Sequence, residues 1–119
     1  MLDDFTPIDS VDSLQIIDLS EGTGDIVNAG DTVTVDYTGA IAATGHVFQS
    51  SKDFGKPITF GLGQVIRGWG DGIPGMKVGG TRRLLIPADQ AYGSTPPYGS
   101  GIPADAALVF DVTLHEISG

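Results

Sequence analysis

Only one stretch of this chain carries helical periodicity, and it is cut short. Across Gln64–Asp71, with Ile73 just beyond, the residues Val65, Ile66, Trp69 and Ile73 fall at helical spacing and form one apolar face. Gly70, Gly72, Pro74 and Gly75 end the pattern within about two turns. A helix that short is unstable alone and has to be held by packing against something larger. The rest of the chain must supply that support, and the rest reads as strands.

Asp31–Thr38 alternates cleanly, with Val33, Val35 and Tyr37 on one face and Thr32, Thr34, Asp36 and Thr38 on the other. Ala107–Leu114 does the same: Leu108, Phe110, Val112 and Leu114 oppose Val109, Asp111, Thr113 and, beyond the run, His115. Leu14–Leu19 and Thr81–Ile86 are strand-like runs, the second stopped by Pro87. Shorter strands are expected through Val47–Phe48 and Pro57–Phe60, with Gly39–Gly45 between them and the first alternating run as a turn. Turns, not crossover helices, join these elements, so the sheet should be mostly antiparallel. The predicted fold class is α+β: a strongly twisted antiparallel β-sheet of about five strands wrapped around one short α-helix. Residues 13–119 make one domain, and residues 1–12 are expected as a flexible acidic arm.

Composition removes several functional classes. The 15 acidic and 6 basic residues leave a net charge of −9. Such a chain repels phosphate backbones, so nucleic acid is not an expected partner. Residues 1–25 carry seven Asp and Glu and no Lys or Arg, which reads as a solubilising segment. With no cysteine there is no disulfide, thiolate metal site or Cys nucleophile, and a reducing, cytoplasmic setting is the expectation. No apolar run approaches membrane-spanning length, and the first residues do not read as a signal peptide.

Gly70-Asp71-Gly72-Ile73-Pro74-Gly75 has the spacing of a dinucleotide fingerprint but the wrong setting. That motif follows a strand and opens a helix; here it closes one. His46 and His115 are the only imidazoles and are read as surface residues, so neither a metal nor a cofactor is expected. Ser50-Ser51 has no base nearby in sequence. The aromatic residues are more informative. Trp69, Tyr37, Tyr92, Tyr98 and Phe110 sit at element edges or in the long loop Tyr92–Pro103. Each buried tyrosine hydroxyl needs a partner, so a plain apolar core would rarely use three. Tyrosines around a tryptophan suit a ligand cup.

In order along the chain stand Val35-Asp36-Tyr37-Thr38-Gly39, Val47-Phe48-Gln49-Ser50-Ser51 and Lys56-Pro57-Ile58-Thr59-Phe60-Gly61-Leu62-Gly63. Then come Val65-Ile66-Arg67-Gly68-Trp69, Ala91-Tyr92-Gly93, Ile102-Pro103 and Leu108-Val109-Phe110-Asp111-Val112. From about Leu14 to Ile117 the chain resembles the FKBP family of peptidyl-prolyl cis–trans isomerases. The resemblance implies a bent antiparallel sheet around one short helix. It implies a site in which Trp69 lies beneath a proline ring and Tyr37, Phe48 and Phe110 form walls. It places a backbone N–H donor at Ile66 beside Val65, and a hydroxyl donor at Tyr92. Phe60 and Ile102 match rim or wall positions.

Three residues depart from the family's pattern. Gln49 stands where an Asp is usual, Ile58 replaces a common aromatic, and the Tyr92–Phe110 loop is about one residue longer, with Tyr98 near its tip. The implied partners are proline-containing peptides and unfolded proteins, with macrolides as a further ligand class, and the implied state is a monomer. The alternative is a non-catalytic module that binds prolyl peptides or macrolides in the same cup. A general holdase chaperone is a third reading, disfavoured because the large loop insert of chaperone-like members is absent.

Overall fold

A computed structural model describes residues 5–8, 11–51, 55–96, 99 and 101–118. Its strands are β1 (Gln15–Ser20), β2 (Thr32–Ile41), β3 (Val47–Ser50), β4 (Ile58–Gly61), β5 (Thr81–Ile86) and β6 (Leu108–Ser118). Helix α1 (Arg67–Gly72) lies between β4 and β5, and a 3₁₀ turn (Ala88–Gln90) follows β5. The strand order is β1-β5-β6-β2-β3, with β4 also paired to β2, and every pairing is antiparallel. The described strands number six, where about five were expected. All six fall on the six runs read as strands from sequence, and one edge of β2 is shared between two of them: β4 takes Thr32–Val35 and β3 takes Thr38–Ala40.

The alternating residues decide which side of the sheet is the main core. Val33, Val35, Tyr37, Leu84, Ile86, Leu108, Phe110, Val112 and Leu114 are all buried on the face that α1 covers. Helix α1 can approach this closely because of Gly68. A Cβ there would sit 2.5 Å from the Ile86 side chain. Past the helix's last turn, the Arg82 guanidinium donates to the carbonyls of Gly72 (2.8 Å) and Pro74 (3.2 Å). That satisfies acceptors which a six-residue helix leaves open.

Four expectations need correcting. Helix α1 starts three residues later than Gln64, because Ile66 has ψ 150° and stands outside the helix as its N-cap. The Gly39–Gly45 turn does not begin at Gly39, since β2 runs on to Ile41. Small residues were used there for packing, not for turning. A Cβ on Gly39 would lie 2.5 Å from Phe110 and 2.9 Å from Phe48. Third, Asp111 belongs to no solvated face. It is buried, with Arg83 donating to both carboxylate oxygens at 2.7 and 3.0 Å. Fourth, part of the segment read as a flexible arm packs on the sheet. Val11 is buried, and Phe5 and Ile8 are half-buried, against Ala40, Ala42, Leu85 and Val109. Ile8 N–H donates to the Ala42 carbonyl at 2.8 Å, and the Arg83 guanidinium lies 5.8 Å from the Phe5 ring centre. Asp3, Asp4 and Asp9 lie outside the described residues.

Candidate active site

A cavity of about 290 Å³ opens between α1, β2, β4 and the start of β6. It lies near the small end of the usual range for ligand pockets, roughly 300–1,000 Å³. Trp69 is its buried base. Three rings stand nearly perpendicular to the indole: Tyr37 at 5.3 Å, Phe60 at 5.2 Å and Phe110 at 5.4 Å between centroids. Edge-to-face contacts of this kind contribute about 0.5–1.5 kcal/mol each beyond buried area. The indole Nε1–H is buried with no hydrogen-bond partner among the described residues.

The sheet places these rings by alternation. Tyr37 on β2 is opposite Val112 on β6, and Phe110 is opposite Gly39. The backbone of Tyr37 is held as well. Its N–H donates to Ser51 Oγ at 3.0 Å, and the buried Ser51 hydroxyl donates to Asp36 Oδ1 at 2.8 Å. His115 Nε2 lies 2.7 Å from the other oxygen of Asp36. The dipeptide Ser50-Ser51 therefore serves as scaffold for the pocket strand. Ser50 pairs with the Thr38 hydroxyl at 3.0 Å.

Polar groups are few and uncharged. Val65 and Ile66 lead into α1 along one side of the cavity, and Gln64 lies just before them. The Ile66 carbonyl accepts from Trp69 N–H (3.0 Å) and Gly70 N–H (3.2 Å). Among the described residues its own N–H has no backbone partner, and the helix has no side-chain cap. Tyr92 lines the cavity from the loop after the 3₁₀ turn. Burial holds its phenol above the ordinary tyrosine range, so it remains a protonated donor. Gln49 reaches the cavity from β3, where it pairs with Gly39. Among the described residues the lining contains no Asp, Glu, Lys, Arg or His. Among the described residues no group of three His, Asp or Glu side chains could hold a metal ion.

Of the residues singled out from sequence, Tyr37, Gln49, Phe60, Val65, Ile66, Trp69, Tyr92 and Phe110 meet at this cavity. Phe48, Ile58 and Ile102 do not line it. Phe48 packs edge-on against Phe110 at 5.8 Å, behind the wall it was expected to form. Ile58 is half-buried against the core, and Ile102 is buried within it. Tyr98 lies outside the described residues. Gln64 was missed. Its signal was available: it is the polar residue next to Val65-Ile66, and a turn fixes it there through Gln64 N–H donating to Gly61 O at 2.9 Å.

Residues 24–115 match the family model described as FKBP-type peptidyl-prolyl cis-trans isomerase. The chain is 46% identical over 99 residues to an FK506-binding protein of Streptomyces anulatus, an alignment covering 82% of this chain and 80% of that one. It is 46% identical over 114 residues to FK506-binding protein 4 of Gibberella zeae, covering 94% of this chain but only 22% of that longer protein. Among solved structures, a peptidyl-prolyl cis-trans isomerase from Pseudomonas syringae pv. tomato superposes with a TM-score of 0.81 at 33% identity. That superposition covers 94% of this chain and 80% of the other.

Proposed function

The chain belongs to the FKBP-type peptidyl-prolyl cis-trans isomerase family, and we propose that its isomerase site is the cavity over Trp69. The activity itself is the family's: rotation about X–Pro bonds in peptide and protein substrates. The observation that carries the site assignment is an indole base ringed by three aromatic walls, with no carboxylate, amine, guanidinium or imidazole among the described lining residues.

Such a lining suits this reaction. An X–Pro bond rotates slowly because amide resonance must be broken, at a barrier of about 18–20 kcal/mol. No bond to the enzyme has to form. The site needs only to prefer the twisted imide to the planar one. The planar form is more polar and better hydrated, so a water-poor aromatic cavity penalises it more. Ile66 N–H and the Tyr92 hydroxyl then hold the flanking carbonyls while the prolyl side turns. Each 1.36 kcal/mol of such preference is worth about tenfold in rate. No charge develops that would call for a general acid or base, in keeping with the uncharged lining.

A macrolide of the FK506 type would occupy the same cavity, and Gln49 is the residue that would tune its affinity. The same proposal has the chain act as a monomer in the cytoplasm. The net charge of −9 favours separate copies, and a cysteine-free chain suits a reducing compartment. Gln49 also favours one alternative, a prolyl-binding module without catalysis. A single assay separates the two. Proline-limited refolding should accelerate with micromolar protein. Prolyl-peptide binding with no acceleration would leave the binding module.

A further inference from the structure

Strand β1 is an edge left open. It pairs with β5 on one side only, and among the described residues no other backbone hydrogen bond reaches Gln15–Ser20. Every residue of the strand is exposed, yet three are large and apolar: Ile16 at 46%, Ile17 at 42% and Leu19 at 46%. Proteins usually blunt such an edge with Lys, Pro, a covering loop or a bulge. Gln15–Ser20 contains neither Lys nor Pro, and the register slips only at Leu19, leaving Gln15–Asp18 regular.

The surroundings select what could lie there. The first basic residue of the chain is Lys52, so the strand and both its flanks supply Asp12, Asp18, Glu21 and Asp25 with no cation. The nearby cations are engaged: Arg82 with Asp18 at 2.6 Å, Arg83 with Asp111 at 2.7 Å and Lys77 with Glu21 at 3.1 Å. A second copy pairing through β1 would bring together two chains of net charge −9.

We infer that β1 is a strand-addition site for an extended basic segment of a partner protein. Backbone hydrogen bonds along Gln15–Asp18 would supply a ladder, Ile17 and Leu19 an apolar face, and Asp12 and Asp25 on the flanks, the two carboxylates not engaged by Arg82 or Lys77, would favour Lys or Arg in the added strand. This site is separate from the cavity, since β5 and β6 lie between β1 and β2. It therefore stands or falls independently of the isomerase reading.

The test uses the full chain and a ten-residue peptide of alternating Val and Lys, which has no proline to compete for the cavity. Backbone amide shifts would be followed by NMR at low salt. The peptide should perturb the amides of Gln15–Leu19. Its affinity should fall at least tenfold in the Ile17→Lys/Leu19→Lys variant, and as far when alternate peptide nitrogens are methylated. Turnover of a short prolyl substrate by that variant should be unchanged. Absence of binding, shifts at the cavity or scattered over the acidic surface, or equal affinity of the methylated peptide would each overturn the inference. So would self-association of the chain that the double variant abolishes.

Discussion

The two faces of one sheet are built from alternate residues of the same strands, and they do different work. The inner face presents Tyr37, Phe110, Leu84 and Val112, large side chains that pack α1 and leave a cavity over Trp69. The outer face presents Ala40, Ala42, Leu85 and Val109, smaller side chains covered by Phe5, Ile8 and Val11. The outer face also holds a charge pair, Asp111 with Arg83, at a depth where an unpaired charge would be costly. The inner face tolerates an unfilled space; the outer face is covered at Ala40, Ala42, Leu85 and Val109. Damage to the first should remove activity, and damage to the second should remove stability and leave the activity of the folded fraction intact.

The largest effect should come from the residue that serves both packing and cavity. Trp69→Ala should abolish measurable acceleration of prolyl exchange and cost about 3–5 kcal/mol in denaturant unfolding. Next is Asp111→Ala on the outer face, which removes both carboxylate oxygens to which Arg83 donates. Urea unfolding should show a loss of about 3–5 kcal/mol, with kcat/KM per folded molecule unchanged. A fall in kcat/KM beyond the unfolded fraction would break the division between faces.

Tyr92→Phe reverses that pattern. Loss of one hydroxyl donor should lower kcat/KM about tenfold, equal to 1.36 kcal/mol, while stability moves by no more than about 0.5 kcal/mol. Phe5→Ala removes a half-buried ring and its contact with Arg83. It should cost about 1 kcal/mol of stability and nothing in rate. The smallest effect is that of pH. Among the described residues the cavity is lined by no carboxylate, amine or imidazole, so kcat/KM should be flat across neutral pH. Tyr92 sets the upper limit. Burial raises its folded pKa above the unfolded value of about 10. Its contribution to stability is therefore intact below that value and is lost as pH climbs through the raised one.

Much of the inner face was legible in the sequence, and much of the outer face was not. Alternation located Val33, Val35 and Tyr37 on one side of β2, and the bounds of β5 were read as Thr81–Ile86. Of the eight candidate residues, out of twelve, that line the cavity, seven lie on strands or in and just before α1, and Tyr92 joins them from the loop after the 3₁₀ turn. Alternation says which residues share a face, not what covers that face. Asp111 read as part of a polar side because nothing in its own strand shows that Phe5, Ile8 and Val11 pack beside Val109, or that Arg83 reaches the carboxylate. Gly39 looked like a turn because a small residue chosen to admit two rings has the same letter as one chosen for a bend. Gln64–Ile66 looked helical because apolar spacing does not reveal that Ile66 keeps an extended ψ, holding its N–H outside the helix.

The most direct test is exchange NMR on a prolyl peptide, comparing the natural chain with Trp69→Ala and Asp111→Ala at equal concentrations of folded protein. Uncatalysed exchange takes roughly tens to hundreds of seconds. The natural chain and Asp111→Ala should both shorten it by the same factor, and Trp69→Ala should leave it at the uncatalysed rate. Equal acceleration by folded Trp69→Ala, or none by the natural chain, would contradict a dry indole cavity as the source of the catalysis.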